Sequence, residues 1–97
     1  MKKEDIINEI TKYVNCGKYS SWYVGITNNA GRRLFNENEH NVDKEHGRWI
    51  SCPADSKKDA QDIEEYFLGQ GMDGDTGGGN DESTFVYCYM KTSTTNP

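Results

Sequence analysis

Apolar positions recur every three or four residues at the start of the chain. Ile6, Ile7, Ile10, Tyr13 and Val14 fall on one side of a helix at that spacing, so residues 3–14 are expected to form an amphipathic helix that Gly17 can end. The period then changes. Trp22 to Thr27, WYVGIT, is rich in ring-bearing and branched side chains and runs into Asn28-Asn29-Ala30-Gly31, which reads as a strand and a turn. Arg32 to about His40 is expected as a short helix whose strong apolar anchors are Leu34 and Phe35. A polar loop with His46 and Gly47 leads to a second strand, RWISC from Arg48 to Cys52, stopped by Pro53. Ser56 and Asp59 have the spacing of a capping box, which predicts a helix from there to about Gly69. The glycines between Gly71 and Ser83 lose too much freedom on ordering to hold regular structure, so a loop is expected. Thr84 to Met90 reads as a third strand, and residues 92–97 as a disordered tail.

This order predicts an α+β domain, a small three-stranded sheet flanked by helices, with one domain over residues 1–91. Three strands are too few for a doubly wound nucleotide fold. The chain also lacks a GxGxxG after a strand and a Walker lysine.

Composition narrows the class. Ninety-seven residues with 33% hydrophobic content can bury one modest core, helped by two tryptophans, six tyrosines and three phenylalanines. No stretch approaches the roughly 20 apolar residues of a membrane helix, and MKKEDIINEI has acids where a signal peptide has an apolar run. A cytoplasmic chain without membrane contact is the expectation. Cys16, Cys52 and Cys88 are odd in number and widely spaced, which suits inert thiols better than disulfides or a metal knuckle.

The net charge of -5 argues against sequence-blind affinity for nucleic acid, which comes mainly from phosphate neutralisation. Its distribution is uneven. Gly17 to Asn36 holds Lys18, Arg32 and Arg33 and no acid, whereas Pro53 to Ser83 holds nine acids against Lys57 and Lys58. A local phosphate site therefore fits the first stretch. Arg32 and Arg33 after a glycine turn, at the expected start of a helix, suit a phosphate or form a solvated pair.

Glu64 is selected by geometry. With Ala60 at zero and about 100° per residue, Ile63, Phe67 and Leu68 bracket an apolar arc, and Glu64 falls inside it at about 40°. A carboxylate facing a core must be paired, metal-bound or at the edge of a cleft. In the loop from Asp73, the residues Asp73, Asp75 and Gly78 match calcium-loop positions, but Thr84 replaces the closing glutamate, so a hydrated acidic loop is the better reading. His40 and His46 lack partners at zinc-site spacing and read as surface histidines.

With these pieces placed, Trp22 to Tyr89 resembles the GIY-YIG nuclease superfamily, particularly the nuclease domain of the bacterial excision-repair incision subunit. Tyr23-Val24-Gly25 resembles its second motif. Arg33, ten residues after Tyr23, stands where the family keeps its catalytic arginine, with Arg32 as its supporting neighbour. Ala60-Gln61-Asp62-Ile63-Glu64 with Leu68 resembles the Ala-x-x-x-Glu-x-x-x-Ile helix. Asn80 is the counterpart of an asparagine after that helix, and His40 of a family histidine.

The resemblance implies metal-dependent cleavage of phosphodiester bonds in nucleic acid, with Tyr23, Arg33 and Glu64 catalytic and Arg32, His40 and Asn80 on the substrate. Glu64 would hold a single Mg2+ or Mn2+, Arg33 would contact the phosphate, and a tyrosine would position the attacking water. The first motif, a GIY strand some ten residues before the second, is not visible. Tyr13 has roughly that spacing but lies in the amphipathic helix, which is expected instead to cover the sheet edge that strand would pair. The alternative is a protein that keeps the fold, has lost the activity and binds nucleic acid or a protein partner as a regulatory module.

Overall fold

The computed structural model describes residues 1–14, 18–74 and 84–97. It is an α+β fold with three helices, α1 (Lys3–Val14), α2 (Ala30–Phe35) and α3 (Lys57–Gln70), and three strands, β1 (Trp22–Thr27), β2 (Trp49–Pro53) and β3 (Phe85–Met90). The strands form one antiparallel sheet in the order β1-β3-β2. The last strand in sequence is thus the central one. The small α+β class with an N-terminal helix is as the apolar pattern predicts.

Alternation along the strands divides the core in two. Trp22, Val24 and Ile26 of β1, Val86 and Cys88 of β3 and Cys52 of β2 point to one face. There they meet Ile6, Ile10 and Val14 of α1 and Ala60, Ile63 and Phe67 of α3. Ile63 and Phe67 are fully buried, and each such side chain contributes about 1.5–3 kcal/mol through burial. The opposite face carries Tyr23, Tyr87 and Tyr89, closed by Leu34 of α2 and Val42. Covering on both sides explains why every residue of β1 is buried.

Local signals set most boundaries. The Ser56 side chain accepts from the Asp59 backbone N–H at 3.1 Å, and Gly71, at φ 114°, closes α3 in the left-handed conformation that favours glycine. Four expectations need correction. α2 runs from Ala30 to Phe35 rather than from Arg32 to His40, because Asn29 caps it by accepting from the Arg32 N–H at 3.0 Å. Arg32 and Arg33 therefore lie in its last turn, not at its start.

Second, α1 does not cover the edge of β1. It packs on the sheet face against α3 and β2, and Tyr13 accepts from the Trp49 N–H at 3.0 Å. The β1 edge is instead met by the chain after α3, where Asp73 pairs with Trp22 and Val24 through two 2.9 Å backbone bonds. Third, residues 92–97 do not trail into solvent. Thr92 and Thr95 close a turn, Thr95 is buried, and the Asn96 N–H donates to the His40 carbonyl at 2.8 Å. Fourth, His40 is not a surface histidine, being only 5% exposed. Among the described residues, no helix is long and apolar enough to cross a membrane. Asn80, Cys16 and the acidic stretch from residue 75 to 83 lie outside the described residues.

Candidate functional site

The tyrosine face of the sheet opens at one end into a pocket of about 330 Å³ lined by Tyr23, Arg33, Asn38, Glu39, His40, Asn96 and Pro97. Three residues singled out from sequence, Tyr23, Arg33 and His40, thus share one concavity. Each arrives from a different element. Tyr23 projects from β1, Arg33 from the end of α2, and His40 from the turn after α2. That turn folds back onto the helix, with the His40 N–H donating to the Arg33 carbonyl at 3.2 Å and the Val42 N–H to the Leu34 carbonyl at 2.7 Å. Asn41, at φ 55°, then turns the chain away, a left-handed conformation that asparagine tolerates better than most residues.

Tyr87 ties the pocket walls together from below. Its hydroxyl lies 2.8 Å from His40 Nε2 and receives the Arg33 Nε–H at 3.4 Å. The bond to Tyr87 is the main reason that the Arg33 guanidinium is held above its ordinary value. Burial pushes the Tyr87 hydroxyl up, against the pull of Arg33, so it stays protonated and acts as a donor. Tyr89 is likewise pushed up by burial, and its hydroxyl lies 2.9 Å from His40 Nδ1. The Tyr23 ring stands over His40, with centroids 4.6 Å apart, and stacks on Tyr89 at 5.3 Å.

Gly25 makes this arrangement fit. It pairs with Tyr87 across the sheet, and a methyl group on it would come within 2.5 Å of the phenol carbon bearing the hydroxyl. The glycine of Tyr23-Val24-Gly25 is therefore the floor on which the Tyr87 ring lies.

The charges in the pocket are paired. Arg33 Nη1 donates to Glu39 Oε2 at 2.6 Å, with side chains 38% and 30% exposed. This leaves further guanidinium N–H groups to meet an anion, but Glu39 offsets the positive charge. Arg32 is exposed and does not line the pocket. Glu64 is buried at 4% exposure on α3, as its place in the apolar arc predicts, and its charge contributes in a minor way to raising Tyr87. It too is outside the pocket lining, so Tyr23, Arg33 and His40 come together while Arg32 and Glu64 do not join them at the wall.

A metal can be tested against these donors. No group of three or more His, Cys, Asp or Glu side chains able to hold an ion occurs among the described residues, so no preformed cage exists there. Glu64 offers one buried carboxylate, and it lies outside the pocket lining. Mg2+ and Mn2+ keep several waters and need as few as one or two carboxylates, so a single carboxylate is the least that such an ion would use.

Sequence reasoning missed Tyr87, Tyr89, Glu39 and Asn96. Strict alternation in FVYCYM carried a signal for both tyrosines, since Tyr87 and Tyr89 share a face with Tyr23. Glu39 had only its short separation from Arg33. Asn96 meets His40 through its backbone atoms, for which no side-chain pattern exists. No family model, curated protein or solved structure matches the chain.

Proposed function

We propose that this chain is a divergent GIY-YIG-type phosphodiesterase acting on nucleic acid, with the Tyr23, Arg33 and His40 pocket as its phosphate site. The observation that carries the reading is the convergence of those three residues, distant in sequence, on one concave wall. The pairing of strands adds support. The strand hydrogen-bonded to Tyr23-Val24-Gly25 is β3, which places Tyr87 and Tyr89 beside the second-motif tyrosine. On this reading β3 takes the place of the first-motif strand, reached from the far end of the domain, and the absence of a GIY strand upstream no longer counts against the site.

Each residue has work to do. Arg33, fixed through Nε by Tyr87, presents its remaining N–H groups to a phosphate oxygen as a planar donor. Tyr23 and His40 form the aromatic wall that orients the substrate and limits water. Glu64 would hold Mg2+ or Mn2+ with water, and the ion, when bound, supplies charge stabilisation on the phosphate oxygens and leaving group. The test is cleavage of DNA and RNA, single- and double-stranded, with either ion. Loss of cutting in Arg33→Ala and Glu64→Gln with retained folding is the expected result, and no cutting of any substrate overturns the enzymatic reading.

One observation favours a second reading. Arg33 is already engaged by Glu39 at 2.6 Å, which offsets the charge it would bring to a phosphate during cleavage. A binding module for nucleic acid or a protein partner would give affinity without cleavage, and Arg33→Ala would weaken it.

A further inference from the structure

We infer that residues 94–97 are a positioning segment of this site, with the Asn96 carbonyl orienting a hydrogen-bond chain through His40 and Tyr87 to Arg33. The inference rests on the pocket being the phosphate site proposed above. It starts from a group whose role has one option. A carbonyl oxygen has no hydrogen to give, and the Asn96 carbonyl lies 2.7 Å from His40 Nδ1, so Nδ1 carries the proton. In the neutral ring Nε2 is then an acceptor, and the Tyr87 hydroxyl 2.8 Å away must donate to it. With its hydrogen committed, the Tyr87 oxygen has lone pairs for the Arg33 Nε–H at 3.4 Å. The direction of the His40–Tyr87 link follows from the first, and Arg33, which has only donors, gives its Nε–H to the same oxygen.

Tyr89 fits the same scheme. Its oxygen, 2.9 Å from Nδ1, takes a share of that N–H while its own hydrogen turns to the Asn96 carbonyl at 3.4 Å. The ring is neutral for a physical reason, since burial and, to a smaller extent, the Arg33 charge hold His40 below its ordinary value, while the Asn96 bond and Glu39 oppose them. Groups facing His40 come from every side: Tyr23 on β1, Tyr87 and Tyr89 on β3, Arg33 on α2, and Glu39 on its own turn.

The segment is anchored for this role. The Asn96 N–H returns a bond to the His40 carbonyl at 2.8 Å, the Asn96 side chain donates to the Glu37 carbonyl at 3.2 Å, and Asn41 donates to the Thr94 carbonyl at 3.1 Å. The first of these bonds and the carbonyl bond to Nδ1 both join Asn96 to His40 through backbone atoms of Asn96. Asn96→Ala keeps both and loses the Glu37 contact, whereas Asn96→Pro removes the N–H and loosens the carbonyl.

The decisive experiment is long-range 1H–15N NMR of the His40 ring in the full chain, with hydrogen exchange of the Arg33 Nε–H. The wild type and Asn96→Ala should show the Nδ1–H tautomer and a protected Arg33 Nε–H. Asn96→Pro should shift the ring toward Nε2–H and speed that exchange about ten-fold, as loss of one hydrogen bond implies. An Nε2–H ring in the wild type, or an unchanged tautomer in a folded Asn96→Pro, overturns the inference. If cleavage is measurable, Asn96→Pro should lower kcat/KM by more than Asn96→Ala does. A chain with the expected tautomers that cuts nothing refutes the phosphodiesterase and leaves the positioning role standing.

Discussion

The Tyr87 hydroxyl lies 2.8 Å from Nε2 of His40, although the two residues are 47 positions apart in sequence. One comes from the central strand and the other from the turn after α2, so this bond locks the turn to the sheet. Because Arg33 shares the same hydroxyl, the position of the site cation depends on both.

Stability should respond to pH through His40. Its pKa is held below the ordinary 6.5, chiefly by burial, so between the folded and unfolded values the folded chain binds fewer protons. The contribution is complete above about pH 6.5 and is lost as pH falls through the depressed folded value. Asp43 and Asp62, whose values lie below 3.8, titrate outside that window. Urea unfolding at about pH 7.5, 6.5 and 5.5 should show a fall in stability that His40→Asn reduces. Identical profiles for the two proteins would show that His40 is not the group responsible.

Glu39→Gln should strengthen anion binding. It removes the charge facing Arg33 at 2.6 Å, and an exposed pair is worth up to about 1 kcal/mol, which corresponds to a gain of up to about five-fold for inorganic phosphate or a short oligonucleotide. Calorimetric titration measures it. Weaker binding would mean that Glu39 holds Arg33 in place instead of competing for it.

A divalent ion should stabilise the chain through Glu64. With inorganic phosphate present and Mn2+ at about ten times its dissociation constant, mass action gives about 1.4 kcal/mol and a melting temperature higher by several degrees. Glu64→Gln should abolish the rise. An equal rise in both proteins would place the ion elsewhere.

Gly25→Ala should destabilise the fold by about 1–3 kcal/mol, the usual cost of overpacking, because the added methyl meets the Tyr87 phenol. Pairing it with Tyr87→Phe tests the cause, since the steric part should persist while the hydroxyl is gone. Denaturant midpoints of the two single variants and the double variant give the coupling.

The sequence made some elements easy to read and hid others for physical reasons. α1 was legible because Ile6, Ile10 and Val14 keep helical spacing, and Glu64 because the same periodicity placed an acid among apolar neighbours. α2 was misplaced because Leu34 and Phe35 are adjacent and so carry no helical period that sets its ends, while its start is fixed by Asn29, which the turn-like sequence disguised. The C-terminal segment looked disordered because it has no large apolar residue. It is held by backbone bonds and buried Thr95, which leave no trace in composition. That Arg33 and Tyr23 line one pocket was not legible in their spacing, because the Arg33 bond to Tyr87 depends on the central position of β3.

The Gly25–Tyr87 pairing also limits how the strands can align during folding. A one-residue slip of β3 along β1 would turn the tyrosines into the aliphatic face, which burial forbids. A two-residue slip would preserve the faces, but it would set Tyr87 opposite Tyr23 or Thr27 and take its phenol off the residue that has no side chain. The gap left by one missing side chain thus favours the alignment of Gly25 with Tyr87, and WYVGIT bears on the pairing of the sheet as well as on a wall of its pocket.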